Sequence, residues 1–220
     1  MEEKSDRIHV VMAADGPYVK GLEVAKASMV ESCSDPERLE FHLFGENAVS
    51  PERMRREFGT YKGSPMAFLR LYLGELLPDV DWVVYSDVDT LWHRDVCELW
   101  ELRDETKTIQ WVRSTAFEFV DWCRERDVPL DHFSSDRYGC SGICLINLKR
   151  WRETKVLERC RDFAARYGVP GKAPYRSLCR SVLPASSLPA LSCRSFRRSG
   201  RLFSARRPFS EGMRPHPRCG

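Results

Sequence analysis

The stretch that decides the fold is Asp81-Trp82-Val83-Val84-Tyr85-Ser86-Asp87-Val88-Asp89, an apolar run that ends in two carboxylates. Its apolar part has the β-rich composition of a buried strand. Side chains two positions apart in an extended segment point the same way, so Asp87 and Asp89 present two carboxylates to one small region. These charges repel each other unless a cation lies with them, and Mg²⁺ or Mn²⁺ prefers such hard oxygen ligands. A D-x-D pair alone also fits a solvated turn, but its place after a strand favours a metal site.

Strand-like and helix-like patterns alternate through the rest of residues 1–170. Short β-rich runs predict strands at Ile8–Met12, Leu39–Phe44, Thr108–Val112 and Cys140–Asn147. Apolar residues at helical spacing, and Ser-Pro pairs typical of helix starts, predict helices at Val19–Ser32, from Ser50-Pro51, from Ser64-Pro65 to Pro78, and at Thr154–Tyr167. This alternation predicts an α/β fold with a mostly parallel central sheet and helices on both faces.

Two further segments accompany the carboxylate pair. The first predicted strand ends at Ala13-Ala14-Asp15, and the last predicted strand begins with the glycine-rich Gly139-Cys140-Ser141-Gly142. Ligands of open α/β sheets bind outside the carboxyl ends of the parallel strands. We therefore expect a binding site at the sheet edge where the two acidic strand ends meet.

Three ordered segments, residues 8–32, 68–91 and 138–153, resemble glycosyltransferase family 8. Ser141–Arg152 is the longest and most specific of the matched motifs. This family comprises retaining nucleotide-sugar transferases, among them the lipopolysaccharide galactosyl- and glucosyltransferases of bacteria. The resemblance implies a GT-A fold and a metal-dependent hexosyltransferase. Its partners would be a UDP-sugar donor and a glycan or lipid-linked acceptor, and the anomeric configuration would be retained.

The resemblance also implies a set of site residues. The first strand end would cradle the uracil and ribose, a basic residue would face the donor, and the glycine-rich strand would touch the donor sugar. The donor-binding residues are then Ala13, Ala14, Asp15, Tyr18, Arg70, Asp87, Val88, Cys140 and Ser141. Asp87 and Asp89 would bind Mn²⁺ or Mg²⁺. No residue is assigned as a nucleophile or general base.

The chain departs from the family pattern at several places. Gly16-Pro17 stands where the family often has a polar pair, and Cys140 where many members have Asn. An Asp-Gln-Asp-like segment at the donor sugar is missing after Tyr167. A later His-x-x-Gly-x-x-Lys-Pro-Trp-like segment, which supplies a metal ligand and a diphosphate-binding lysine, is also missing, and His216 does not replace it.

The last fifty residues differ in composition from the rest. Residues 171–220 contain ten Arg and one Lys against a single acid, Glu211, with many Ser and Pro and no apolar periodicity. We therefore expect a domain of residues 1–170 and a basic tail of 171–220 that is disordered. A reading frame shifted in a GC-rich gene would produce this composition, so the C-terminus is interpreted as truncated or frameshifted. The near absence of Lys and of interleaved aromatic residues argues against a nucleic-acid-binding arm.

Cysteine usage and hydropathy limit the other classes of protein. None of the nine cysteines has C-x-x-C spacing, which argues against a zinc ribbon. No apolar run approaches the roughly 18 residues of a membrane span, and the charged N-terminal segment lacks the apolar core of a secretory signal. We therefore expect a cytoplasmic protein without a transmembrane segment, for which peripheral contact with a membrane stays open.

Missing glycine motifs exclude several common α/β enzymes. The chain has no G-x-x-x-x-G-K-[ST], G-x-G-x-x-G or G-x-S-x-G, which argues against P-loop, Rossmann and hydrolase sites. One alternative to the transferase is a truncated UDP-sugar-binding remnant without catalysis. A nucleotidyltransferase is less favoured, because residues 13–18 form no phosphate-binding glycine-rich loop.

Overall fold

The structure, a computed structural model, describes residues 7–61, 63–114, 125, 127, 138–168, 185–188 and 194–195. Its strands are β1 (Ile8–Ala13), β2 (Leu39–Phe44), β3 (Trp82–Ser86), β4 (Thr90–Leu91), β5 (Ile109–Ser114), β6 (Tyr138–Asn147), β7 (Ala185–Leu188) and β8 (Arg194–Ser195). Its α-helices are α1 (Val19–Ser32), α2 (Pro51–Phe58), α3 (Leu73–Leu76), α4 (Val96–Trp100), α5 (Leu148–Glu153) and α6 (Val156–Tyr167). Further 3-10 segments cover Gly16–Tyr18, Pro36–Arg38 and Met66–Tyr72.

The main sheet has the strand order β2-β1-β3-β6-β5-β7. β1 pairs in parallel with β2 and β3, and β5 pairs in parallel with β7. β6 is antiparallel to both of its neighbours, β3 and β5. It therefore runs opposite to the other five described strands of this sheet. The predicted mostly parallel central sheet is therefore confirmed. The carboxyl ends of β1 and β3 lie at the same edge, beside the beginning of β6.

Helices cover both faces of this sheet, as predicted. One core layer contains Val11 and Val83 and packs the sheet against α2, α3, α5 and α6. The other layer contains Val10 and Val84 and packs the opposite face against α1 and α4. Successive strand residues belong to different layers because strand side chains alternate between faces. Burial on both faces explains why β3 is apolar at every position from Trp82 to Tyr85.

The segment after Ser64-Pro65 differs from its predicted form. A single amphipathic helix was expected up to Pro78, whereas the chain forms a 3-10 helix over Met66–Tyr72 and then the short α3. Phe68 to Tyr72 are all buried, so the segment lacks the solvent-facing side of the expected amphipathic helix. One of these buried residues is Arg70, and it carries its charge into the sheet edge described below.

Two short strands come from residues 171–220. β7 extends the main sheet through the register Ile109↔Ala185, and β8 pairs with β4 through Thr90↔Ser195. Such pairs rest on backbone hydrogen bonds, which need no apolar periodicity in the sequence. For these six residues the structure differs from the expectation of a segment without packed structure. The domain boundary at residue 170 stays a prediction.

Candidate functional site

Three chain segments meet at the carboxyl edge of the sheet. β3 ends at Ser86, whose register partner on β6 is Ile143. The pairing continues for one further hydrogen bond, because the backbone N–H of Asp87 donates to the Gly142 carbonyl over 2.8 Å. The end of β1 is fixed similarly, since the N–H of Ala14 donates to the Phe44 carbonyl on β2. The edge is therefore built from backbone bonds, which hold the Asp87 side chain beside the glycine-rich strand.

A buried arginine orients Asp87. Arg70 is 8% exposed, and its Nη2 donates to Oδ1 of Asp87 over 2.8 Å. Its Nη1 donates to the Ser141 carbonyl over 2.9 Å, and its guanidinium carbon lies 4.2 Å from the centre of the Tyr85 ring. The ion pair, the carbonyl and the aromatic face together offset the cost of burying the cation. One side chain thus joins the predicted residues Arg70, Asp87 and Ser141.

Tyr85 supports the same carboxylate from inside the core. Burial raises the pKa of the Tyr85 phenol far above its ordinary value. A hydrogen bond to Asp87 raises this pKa further, whereas the charge of Arg70 acts in the opposite direction. The phenol therefore stays protonated beside Asp87. The carboxylate retains partial access to solvent, since its side chain is 32% exposed.

A cavity of about 450 Å³ opens beside Asp89. Its lining residues come from the start of α1 and from the chain after β3, and they are Tyr18, Lys20, Gly21, Val24, Val88, Asp89, Thr90 and Leu91. Tyr18 is 47% exposed and offers an aromatic face at its rim. The two walls touch at Gly21, where a Cβ would lie only 2.8 Å from the Val88 carbonyl oxygen. Because α1 has no side chain at this point, the loop that carries Asp89 can lie directly on the helix.

The first strand end is ordered separately. Asp15 is half-buried, and its Oδ2 accepts a 2.7 Å hydrogen bond from the Ser64 hydroxyl. Ala14 is buried and Ala13 packs against the core, so their backbone rather than their side chains faces any ligand. The backbone of Cys140 lies in β6, and its side chain falls outside the described part of the structure.

Comparison with known proteins bears directly on this arrangement. A family model described as glycosyl transferase family 8 matches residues 54–180, which is more than half of the chain. The chain belongs to glycosyltransferase family 8. The model covers β3 with its carboxylate pair, the Arg70 segment and the glycine-rich strand.

Curated family 8 relatives are distant and longer. The probable galacturonosyltransferase-like protein 3 of Arabidopsis thaliana is 24% identical over 188 residues, which are 70% of this chain and 54% of that protein. General stress protein A of Bacillus subtilis is 22% identical over 186 residues, covering 73% of this chain and 63% of that protein. The chain spans about half the length of the first of these relatives.

Solved structures agree on the fold. The galactosyltransferase LgtC, in complex with donor and acceptor sugar analogues, superposes with a TM-score of 0.63 at 22% identity, over 82% of this chain and 73% of that one. Mouse xyloside xylosyltransferase 1 gives a TM-score of 0.55 at 14% identity, over 80% and 81% of the two chains. The predicted GT-A type fold is confirmed by these likenesses. Among the described residues, no helix has both the length and the apolar character needed to cross a membrane.

The sequence-predicted site residues of this family 8 chain fall into three groups. Arg70, Asp87 and Ser141 are in direct contact, Tyr18, Val88 and Asp89 line the cavity, and Ala13–Asp15 ends the neighbouring strand. Sequence reasoning missed Tyr85, Ser64 and Gly21. Tyr85 could have been found, because it is two residues before Asp87 and so shares its face of the strand. Gly21 carried a signal too, since a glycine inside a helix pattern suggests close backbone approach.

The donor set at the strand end fits a divalent cation. Arg70 orients Asp87 through a hydrogen bond to its Oδ1, and Asp89 is exposed beside the cavity. Carboxylate oxygens of this kind suit Mg²⁺ or Mn²⁺, which keep further positions for water and phosphate oxygens. Asp87 and Asp89 are the residues that would hold such an ion.

Proposed function

We propose that this chain is a metal-dependent hexosyltransferase of family 8. It takes a UDP-sugar as donor, transfers the hexose to a glycan or a lipid-linked acceptor, and retains the anomeric configuration. The observation that carries the proposal is the oriented carboxylate of Asp87, held by Arg70 at the end of β3, with Asp89 beside an open cavity. A carboxylate held so firmly at a strand end has the preorganisation that binding of a charged group requires.

The residues at and near the cavity suit a nucleoside diphosphate. The exposed ring of Tyr18 offers a stacking surface for a base, and Asp15 can accept hydrogen bonds from ribose hydroxyls. A cation bound at Asp87 and Asp89 would neutralise the negative charge that develops on the UDP leaving group. Arg70 holds Asp87 in place and keeps a positive charge close to that position. These roles place base, ribose and diphosphate along the carboxyl edge of the sheet.

The class of donor and acceptor follows from relatives. The Arabidopsis proteins are named as probable galacturonosyltransferase-like proteins, and LgtC was solved with donor and acceptor sugar analogues. Both point to a hexose or hexuronic acid as the transferred group. Retention of configuration is inferred from the family resemblance.

Turnover on a panel of donors tests the proposal. UDP release from UDP-glucose, UDP-galactose and UDP-galacturonic acid should be measured with Mn²⁺ for the unaltered chain, Asp89→Asn and Asp79→Asn. Asp79 is an exposed carboxylate in the turn before β3, so it is the matched control. We expect at least one donor to be hydrolysed or transferred, and Asp89→Asn to lower that rate by roughly 10²–10³-fold. Equal rates for Asp89→Asn and the unaltered chain would overturn the assignment of the metal site.

The second candidate is a UDP-sugar-binding protein without turnover. It is favoured by the departures from the family pattern inside the matched segments, where Gly16-Pro17 stands in place of a polar pair and Cys140 in place of Asn. The same panel separates the two functions. Metal-dependent UDP binding together with background rates on every donor and acceptor would favour the binding protein, whereas transfer above background excludes it.

A further inference from the structure

A second cluster of metal-ligating side chains lies at the other end of β1. Nδ1 of His9 and Nε2 of His42 are 2.9 Å apart. Carboxylate oxygens of Glu40 lie 3.7 Å from the first nitrogen and 3.9 Å from the second. Taking one ligand atom from each residue, all three lie within 4.8 Å of one another. Two imidazoles and one carboxylate therefore converge on one point.

The backbone holds this cluster in place. His9 and Glu40 are direct register partners in the parallel pair of β1 and β2, and His42 lies two residues beyond Glu40 on the same strand. Residues at these positions share one face of the sheet. The side chains are 23% exposed for His9, 18% for His42 and 43% for Glu40. The imidazoles are thus largely shielded, while the carboxylate keeps access to solvent at the edge strand β2.

We propose that His9, Glu40 and His42 form a zinc-binding site. Two histidines and one glutamate are a set of ligands that Zn²⁺ uses in proteins, with a water molecule as the fourth ligand. Ligand atoms at about 2.0–2.1 Å from a tetrahedral ion are about 3.3–3.4 Å apart. The nitrogens of His9 and His42 are 2.9 Å apart, Oε2 of Glu40 lies 3.7 Å from the His9 nitrogen, and Oε1 lies 3.9 Å from the His42 nitrogen. Small movements of these side chains would bring both nitrogens and one oxygen to the separations of a tetrahedral site.

The protons balance without any further reactant. In the contact between His9 and His42, one ring nitrogen donates and the other accepts. On zinc binding, the proton of the donating nitrogen moves to the other nitrogen of the same ring, which leaves both facing nitrogens with free lone pairs. The two imidazoles stay neutral, and the carboxylate of Glu40 supplies one negative charge toward the ion.

This site is separate from the nucleotide site proposed above. Asp15 follows His9 by six residues, which corresponds to about 20 Å along an extended chain. The chemistry of the ligands differs as well, since imidazole nitrogens favour zinc whereas the Asp87 and Asp89 oxygens favour magnesium or manganese. Because its ligands come from both strands, zinc would fasten the edge strand β2 to β1.

Zinc titration of the metal-stripped chain tests the site. Calorimetry should be run on the unaltered chain, Glu40→Gln, His42→Gln and Asp89→Asn, with far-ultraviolet circular dichroism to confirm that each variant is folded. Glu40→Gln replaces a half-exposed side chain of the same shape, so it should preserve the fold. We expect one zinc ion to bind to the unaltered chain and to Asp89→Asn with equal affinity. Glu40→Gln and His42→Gln should weaken binding by at least about tenfold. Zinc should also raise the melting temperature of the unaltered chain and of Asp89→Asn, and leave that of Glu40→Gln and His42→Gln nearly unchanged.

The described part of the chain contains one competing cluster, formed by Cys33, Asp95 and Cys97. Cobalt substitution distinguishes the two sites, because a thiolate ligand gives Co²⁺ an intense near-ultraviolet charge-transfer band and nitrogen and oxygen ligands do not. We expect no such band, and unchanged zinc affinity in Cys97→Ser. A thiolate band that disappears in Cys97→Ser would overturn the proposal. Zinc affinity that is unchanged in both Glu40→Gln and His42→Gln would overturn it equally.

Discussion

At the scale of single residues, the pairing of Arg70 with Asp87 explains how a cation and a metal ligand can be neighbours. The guanidinium bonds to one carboxylate oxygen and to the Ser141 carbonyl, and it stacks on Tyr85. Arg70 therefore restrains the carboxylate in one orientation. It also compensates the charge of Asp87 while no ligand is bound.

Replacing Arg70 by Gln should therefore affect stability and binding together. Asp87 would lose its charged partner at a half-buried position, so we expect the free energy of unfolding to fall by roughly 2–3 kcal/mol, somewhat less than for a fully buried pair. Urea unfolding measures this change. Arg55→Gln is the matched control, because Arg55 is an exposed helix residue 3.9 Å from Glu52 and should change stability by less than about 0.5 kcal/mol. Equal midpoints for the two variants would contradict the role given to Arg70.

Cys33 should be slow to react with alkylating agents in the folded chain. Its sulfur lies 3.7 Å from that of Cys97, and burial raises the pKa of the Cys33 thiol from 9.0 to about 11. At pH 8 the reactive thiolate is then about a hundredfold less populated than for the ordinary thiol. Iodoacetamide labelling at pH 8, read by peptide mass spectrometry, should show this difference between folded and urea-unfolded protein. Equal labelling rates in both states would contradict the prediction.

At the scale of elements, the sequence predicts best those segments whose periodicity is complete. Helix α1 and strand β2 have the predicted limits, Val19–Ser32 and Leu39–Phe44. Helix α1 buries Leu22, Ala25 and Met29 on one side, and Leu39 and Phe41 of β2 pack against the same core layer. The 3-10 segment Met66–Tyr72 was predicted as part of one amphipathic helix, because its apolar spacing does not distinguish 3-10 from α winding. Strand β7 was not predicted, because its sequence has no apolar alternation and backbone pairing with β5 requires none.

The contact between α1 and the loop after β3 gives a prediction at this scale. Gly21→Ala would place a Cβ 2.8 Å from the Val88 carbonyl oxygen, a backbone atom that cannot move without shifting Asp89. Alanine favours helices by about 1 kcal/mol over glycine. The clash should exceed that gain, so we expect a net loss of about 1–2 kcal/mol and weaker UDP binding. Gly45→Ala is the control, because a Cβ there meets nothing within 4 Å.

Thermal unfolding and UDP titration of both glycine variants measure these effects. We predict that the melting temperature of Gly45→Ala equals or slightly exceeds that of the unaltered chain. Of the two variants, only Gly21→Ala should have a lower melting temperature. A Gly21→Ala chain that is more stable than the unaltered one, with unchanged UDP binding, would show that helix α1 and the Asp89 loop are not in the contact described.

At the scale of the whole molecule, the location of the site could be predicted and its internal contacts could not. Parallel strands with helices on both faces bring the carboxyl ends of β1 and β3 together, which placed Asp15 and Asp87 at one edge. The bond from Arg70 to Asp87 depends on how a buried 3-10 segment packs, and no local pattern encodes it. The same limit applies to Cys33 and Cys97, which are 64 residues apart in sequence and lie outside any metal-binding spacing rule.

We propose above that Asp87 and Asp89 bind a nucleoside diphosphate through a divalent cation. Calorimetric titration with UDP tests this binding most directly. The titration compares Mn²⁺ with EDTA for the unaltered chain, Asp89→Asn and the control Asp79→Asn. We predict that UDP binds to the unaltered chain with Mn²⁺, and that its affinity falls by about tenfold or more in EDTA and in Asp89→Asn. Asp79→Asn should bind UDP as tightly as the unaltered chain. Equal UDP affinity with and without metal, or full affinity in Asp89→Asn, would contradict it.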